Sequence, residues 1–260
     1  MPELIEVEAY RAAADTVVGR RIRAVDAPDP WFVKGGPTPA DMTDALVGRR
    51  VVATGRRGKL MWLDLDDGRR LGLRFGMTGR IVVDGKAPIG ALEYGPARDE
   101  PRWDRFALSF AAGRRLVLSD PRRLGGVELD PDLDRLGPEA STVRGAVLAG
   151  IVARTSAPLK AVLLDQSRLA GVGNLIADET LWRARLDPAR PAADLGPAVA
   201  AELAGQLRST VRLLSRRGGS HTGDLQSQRH RDGRCPRCGA LLRRSVVGGR
   251  TTYACPAEQR

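Results

Sequence analysis

The order of apolar and polar positions gives the chain three textures. Residues 4–18, LIEVEAYRAAADTVV, are rich in helix formers and stop at Gly19, which predicts a helix whose first turn carries Pro2 and Glu3. The texture then changes to short β-type runs at residues 21–27, 50–55, 60–65, 80–85, 105–110 and 115–120, broken by DDG, DGK and AAG turns. That alternation predicts an antiparallel sandwich or barrel. Residues 136–155, containing LGPEAS, read as a hinge. Beyond them Pro158 opens a helical run, LKAVLLDQ, followed by a glycine-rich turn at 171–173 and a second helix through LIADETLWRARL. A third helix is expected around Ala198–Leu214. From Gly218 onward the chain is rich in Gly, Arg and Cys and has almost no apolar run, so something other than a core must order it. The expected fold class is α+β, divided into a helix plus β-sandwich domain at 1–135, the hinge at 136–155, a helical domain at 156–217, and a loop with a C-terminal ribbon at 218–260.

Charge changes this picture more than length does. At 260 residues the chain is long enough for one large or two modest domains. Its formal net charge is +11, carried by 42 basic residues of which only Lys34, Lys59, Lys86 and Lys160 are lysine. Codon usage in a GC-rich genome explains arginine over lysine, but not the surplus of positive charge. Nucleic acid is the expected partner, ahead of a membrane surface. No stretch approaches the roughly 18 apolar residues of a membrane span, and the N-terminal segment has no apolar signal run, so a soluble cytosolic protein is expected, and a monomer is expected as its working form. The three cysteines all fall between Cys235 and Cys255 and do not read as a disulfide framework.

Three motifs carry candidate chemistry. Once an aminopeptidase removes Met1, Pro2 presents a secondary amine, and an α-amino group titrates at about 7.7–8.0, low enough to be neutral and nucleophilic near physiological pH. With Glu3 beside it to move protons, this is a Schiff-base arrangement. The same two residues also suit the start of any helix. AGVGN at 170–174 sets two glycines before a helix beginning near Leu175, with Asn174 as either its cap or a phosphate ligand at the helix N-terminus. CPRCG at 235–239, followed by Cys255 in GGRTTYACP, resembles a zinc ribbon with an incomplete second knuckle. Cys235, Cys238 and Cys255 offer three sulfurs, and Glu258 stands where a fourth thiolate is expected.

Seven blocks, in order, resemble the bacterial formamidopyrimidine-DNA glycosylases, a superfamily that includes endonuclease VIII. They are MPELIEVEAYR, GRRGKLMWLDL, LGLRFGMTGR, SDPRRLGGVEL, LGPEAS, LLDQSRLAGVGNLIADETLWRARLDP, and CPRCG with GGRTTYACP. The resemblance implies a β-sandwich headed by a catalytic helix, a helix-two-turn-helix domain and a C-terminal zinc-ribbon-like hairpin, acting on double-stranded damaged DNA in the bacterial cytosol. It implies excision of oxidised bases of the formamidopyrimidine and oxidised-purine class, with abasic-site lyase activity. Pro2 is then the nucleophile at C1′, Glu3 the general acid/base with Glu6 in support, and Lys59 a phosphate contact near the lesion. Asn174 and Arg250 grip phosphates flanking the extruded nucleotide. Met77, Arg122 and Leu124 fill the gap and touch the opposite base, a role that suits apolar wedges and an arginine.

The chain departs from the family pattern at four places. Ile5 replaces a second proline, Leu124 replaces a phenylalanine wedge, and Glu258 replaces the fourth cysteine. The stretch 219–234 is shorter than the family's loop over an extruded oxidised purine, which weakens the case for 8-oxoguanine. An endonuclease VIII-like preference for oxidised pyrimidines, a lesion-binding protein that does not cut, and a metal-free ribbon are the alternatives these departures leave open.

Overall fold

The computed structural model describes residues 2–89 and 100–260. Two compact units divide the chain, one running to Leu133 and the other from Asp134 to Arg260.

The first unit opens with helix α1 (Leu4–Ala14), which continues as a 3-10 turn at Asp15–Val17. Glu3 is the N-cap rather than a first-turn residue, and Pro2 lies one position outside the helix. The cause is a capping box. The Glu6 carboxylate accepts the Glu3 N–H at 2.9 Å while the Glu3 carboxylate faces the Glu6 N–H, satisfying donors that an uncapped helix leaves open. Val7, Tyr10, Ala14 and Val17 enter the core of the unit. A short helix α2 (Pro39–Leu46) follows, with its own Thr38–Asp41 capping box.

Eight strands form two antiparallel sheets. One has the order β1 (Ile22–Asp26), β6 (Asp104–Phe110), β7 (Arg115–Ser119), β5 (Arg80–Val83); the other has β2 (Val51–Arg57), β3 (Leu60–Leu65), β4 (Arg70–Arg74), β8 (Gly126–Leu129). Apolar side chains of both sheets, including Met61, Leu63, Leu71, Leu73, Ile81, Phe106, Leu108, Leu116 and Leu118, share one core with α1. Six of these strands coincide with the expected β runs. Strands β4 and β8 and helix α2 were not anticipated. RLGLR and GVEL are short and carry a glycine each, so their strand character comes from pairing, β4 with both β3 and β8.

The topology sets two connections side by side. Strand β4 pairs with β8, ending at Arg74 opposite Gly126, and β5 pairs with β7, with Arg80 opposite Ser119. The chain crosses between sheets twice here, at residues 75–79 and 120–125, and the two crossovers therefore run next to each other.

In the second unit, helix α3 (Gly145–Val152) occupies the segment read as a hinge and packs on the long helix α6 (Pro197–Arg217). Its sequence, GAVLAGIV, is apolar nearly all round, so it is stable only against a partner. Helices α4 (Leu159–Leu164) and α5 (Asn174–Ala184) flank the glycine-rich turn, and strands β9 (Arg243–Val247) and β10 (Arg250–Ala254) form a hairpin closed by Gly248 and Gly249. Both glycines have positive φ, +59° and +70°, as a tight two-residue hairpin turn requires. The tail from Gly218 does have a small core: Leu225, Cys235, Leu242, Tyr253 and Cys255 gather on Trp182, which α5 supplies.

Candidate functional site

At the head of α1, Pro2 is buried and Glu3 and Glu6 are 1% and 2% exposed. Met1, whose loss would free the amine, lies outside the described residues. Beneath Glu6, the Tyr10 hydroxyl is buried without a hydrogen-bond partner, and its ring lies 4.8 Å from that of Phe75. Burial, and then the charge of Glu6, drive the Tyr10 pKa far above its ordinary value, with Arg80 opposing them. Two carboxylates at a helix N-terminus, with a neutral phenol and a guanidinium below, form a site that can hold and move protons next to Pro2.

Lys59 sits half-buried in the two-residue turn between β2 and β3, where Gly58 supplies a φ of +59°. Arg56 fixes that turn, donating to the Gly58 carbonyl at 2.9 Å and to Glu8 of α1 at 2.8 Å. Helix α1 and the lysine turn are thereby tied through one guanidinium.

Met77 lies in the first crossover; Arg122 and Leu124 lie in the second, with Leu124 52% exposed. Asp120, fully buried, stitches them together. It accepts from Thr78 Oγ1 at 2.6 Å, from the Gly125 N–H at 2.8 Å and from the Arg122 N–H at 3.2 Å. Gly76 lets the loops touch, since a Cβ there would stand 2.5 Å from the Leu124 carbonyl carbon. The expected gap-filling residues are thus gathered on one rigid end of the sandwich. Asp120 escaped the sequence reading, although an Asp-Pro pair closing a strand is a usable signal.

In the second unit, Gly173 is the N-cap of α5 and Asn174 the first helical residue, so Asn174 does not cap. Its Nδ2 donates instead to the Thr251 carbonyl at 3.2 Å, and its Oδ1 is buried without a partner. Arg250, exposed at the start of β10, is the next residue along. The glycine turn is braced by Gln166, which accepts from the Gly171 N–H at 2.9 Å and donates to the Val172 carbonyl at 3.0 Å. The hairpin is held by Lys160, wholly buried, which donates to Thr252 Oγ1 at 2.7 Å and the Thr251 carbonyl at 3.2 Å and contacts Asp178 at 2.6 Å. Arg229 meets the same carboxylate at 3.2 Å. Glu179 pins the loop after α6 by accepting from the Leu225 N–H at 2.9 Å and the Asp224 N–H at 3.2 Å.

The Sγ atoms of Cys235, Cys238 and Cys255 lie within 4.8 Å of one another, the single such cluster among the described residues. Burial works against the Cys235 thiolate, but the Trp182 indole N–H at 3.4 Å and local backbone N–H groups lower its pKa to about 7, whereas burial pushes Cys255 up to about 11. Three convergent thiols suit a thiophilic metal ion. Glu258 does not join them. Its carboxylate lies 2.5 Å from Arg237 Nε, and that guanidinium is held over the Trp182 ring, 4.2 Å from its centroid, so the expected fourth ligand is engaged as an ion pair.

Residues 1–127 match the model of the formamidopyrimidine-DNA glycosylase N-terminal domain, and residues 136–224 that of the family's H2TH domain. The chain belongs to the formamidopyrimidine-DNA glycosylase family. Relatives named as this enzyme in Chloroflexus aurantiacus and a Roseiflexus species are 34% and 35% identical over the whole chain, covering 98% and 100% of their own lengths. Among solved structures, the Lactococcus lactis protein bound to DNA containing FAPY-dG superposes with a TM-score of 0.83 at 26% identity, covering 99% of this chain and all of that one. A complex of the same bacterial protein with THF-DNA and an inhibitor gives 0.83 at 27% identity with both chains fully covered. The α+β architecture and DNA glycosylase activity are those of the family, and abasic-site lyase activity is typical of it.

Proposed function

We propose that this chain excises oxidised bases from duplex DNA through its N-terminal proline and then cleaves the strand at the resulting abasic site. The observation that carries the reading is the buried Pro2 adjoining the Glu3–Glu6 capping box at the head of α1. In this reading the damaged nucleotide is turned out of the duplex, which costs a few kcal/mol and least where the base stacks poorly. The Pro2 nitrogen attacks C1′, the bond from C1′ to the base breaks, and the base leaves with the electron pair and takes up a proton. The Glu3 carboxyl protonates the sugar ring oxygen as the ring opens, leaving an iminium between Pro2 and C1′. Loss of a C2′ proton then expels the 3′ phosphate, and a second elimination expels the 5′ phosphate. Glu6 orients Glu3, Lys59 contacts a phosphate, and Asn174 with Arg250 grips the flanking backbone. Met77, Arg122 and Leu124 occupy the vacated step. Zinc is the proposed occupant of the cysteine cluster, held by Cys235, Cys238 and Cys255; it orders the ribbon and takes no part in the chemistry.

Borohydride trapping on duplex carrying formamidopyrimidine or an abasic site tests this reading. Protein lacking Met1 is expected to give a covalent adduct that Pro2→Gly loses. Tight binding to abasic DNA with neither adduct nor scission would instead favour a lesion-binding protein. A panel of formamidopyrimidine, 8-oxoguanine and 5-hydroxycytosine duplexes separates the substrate classes, and the short, Glu179-pinned loop after α6 supports formamidopyrimidine over 8-oxoguanine.

A further inference from the structure

Trp31 is the one exposed aromatic side chain among the described residues, at 67%. No role assigned above uses it, yet it is firmly held. It lies in the 3-10 turn Pro30–Phe32, its N–H donates to Asp29 Oδ1 at 3.2 Å, and its carbonyl accepts from Lys34 Nζ at 2.5 Å. The Lys34 ammonium stands 4.4 Å from the centre of the indole, and the neighbouring Phe32 is fully buried. A large apolar ring displayed on a fixed turn calls for a partner.

The turn is bolted to the loop that carries Leu124, on both sides of that residue. Arg123 grips Asp29 in a two-pronged ion pair, Nε to Oδ2 at 2.6 Å and Nη2 to Oδ1 at 2.7 Å, and these bonds hold the Asp29 carboxyl below the usual range. Beyond Leu124, the Lys34 N–H donates to the Val127 carbonyl at 2.8 Å, and the Phe32 ring lies where a Cβ on Gly125 would meet it at 3.2 Å. Trp31 therefore moves as one body with Leu124 and, through Asp120, with Met77. An indole face paired with an ammonium fits a sugar or base face beside a phosphate. A protein partner of the usual apolar kind would meet the Lys34 ammonium set against the indole here.

We propose that Trp31 and Lys34 form a further duplex contact beside the plug made by Met77, Arg122 and Leu124. The indole packs on the nucleotide next to the vacated step and Lys34 meets its phosphate. Leu124 is an apolar plug without an aromatic face, and Trp31 restores stacking from the adjoining turn. This inference rests on the glycosylase reading above.

The test is binding to a duplex with a tetrahydrofuran abasic analogue, measured by fluorescence anisotropy. Trp31→Ala is expected to raise Kd about tenfold, the order of one lost base–aromatic stack, with Trp31→Phe recovering most of the affinity. DNA is also expected to quench tryptophan emission in the wild type, with a clearly smaller loss in Trp31→Phe; that comparison decides should Trp31→Ala fail to fold. A Kd for Trp31→Ala within about twofold of wild type, or equal quenching in wild type and Trp31→Phe, overturns the inference. So does sedimentation showing that wild type pairs with itself through Trp31. Borohydride trapping of the wild type is run alongside. Absence of an adduct overturns the glycosylase reading, whereas an adduct with unchanged Trp31→Ala binding overturns this inference alone.

Discussion

At the scale of single residues, the proposed catalytic head depends on a group that its motif does not advertise. Tyr10 faces inward from α1, and its hydroxyl has no hydrogen-bond partner beneath Glu6. Replacing it by phenylalanine removes an unsatisfied buried polar atom, so Tyr10→Phe should be neutral or stabilising by up to about 1 kcal/mol at pH 7. At alkaline pH the sign is set by linkage. The folded-state pKa is raised above the ordinary 10.0, so the unfolded chain ionises first, and stability present below that pH is lost as pH rises above it. The slope for one such group is about 1.4 kcal/mol per pH unit. Melting temperatures between about pH 10 and 11 should fall more steeply for wild type than for Tyr10→Phe. Parallel curves would mean that Tyr10 ionises as freely in the folded protein as in water.

At the scale of elements, the decisive arrangement is the pair of sheet-switching crossovers. Neither is rigid by its own sequence; each becomes so because strand pairing sets it beside the other and Asp120 bonds to both. Asp120→Ala would strand the Thr78 hydroxyl and the Gly125 N–H in a buried site and release the part-buried Arg122 N–H, costing about 3 kcal/mol. Calorimetry should show that loss. The variant should also bind a lesion duplex more weakly than wild type, as Met77 and Leu124 lose their common anchor. Asp120→Asn, which keeps an acceptor, should fall between the two. If Asp120→Ala melts like wild type, the crossovers are held by packing alone.

At the scale of the whole molecule, order is unequally provided for. The sandwich shares a core of two dozen or so buried side chains with α1, whereas the ribbon has six, one of them borrowed from α5. So small a core needs a staple. The cysteine cluster is the candidate, and Trp182 Nε1 at 3.4 Å from Cys235 Sγ is a built-in reporter. Stripping the proposed zinc with a chelator should shift Trp182 emission and weaken DNA binding through the proposed Arg250 contact, while the transition of the sandwich unit stays in place. Unchanged emission and affinity after complete metal removal would show that the hairpin folds on its Lys160–Asp178 bond network and apolar contacts alone.

Much was legible in the sequence because it depends on local chemistry or ordered motifs. The α1 pattern, six of the eight sandwich strands, the helix–turn–helix around AGVGN and the cysteine spacing follow from periodicity, turn residues and ligand type. The proposed roles of Pro2, Glu3, Lys59, Asn174 and Arg250 rest instead on the family resemblance that the seven ordered blocks carry. The tertiary structure alone decided what depends on partners far along the chain. It paired β4 with β8, made a packed helix of the expected hinge, and turned Glu258 to Arg237 and away from the thiols. It set Asp120 between two loops and fixed Trp31 beside Leu124. Burial and pairing create these interactions, and a local pattern of apolar and polar residues does not reveal which distant residue will supply the other half.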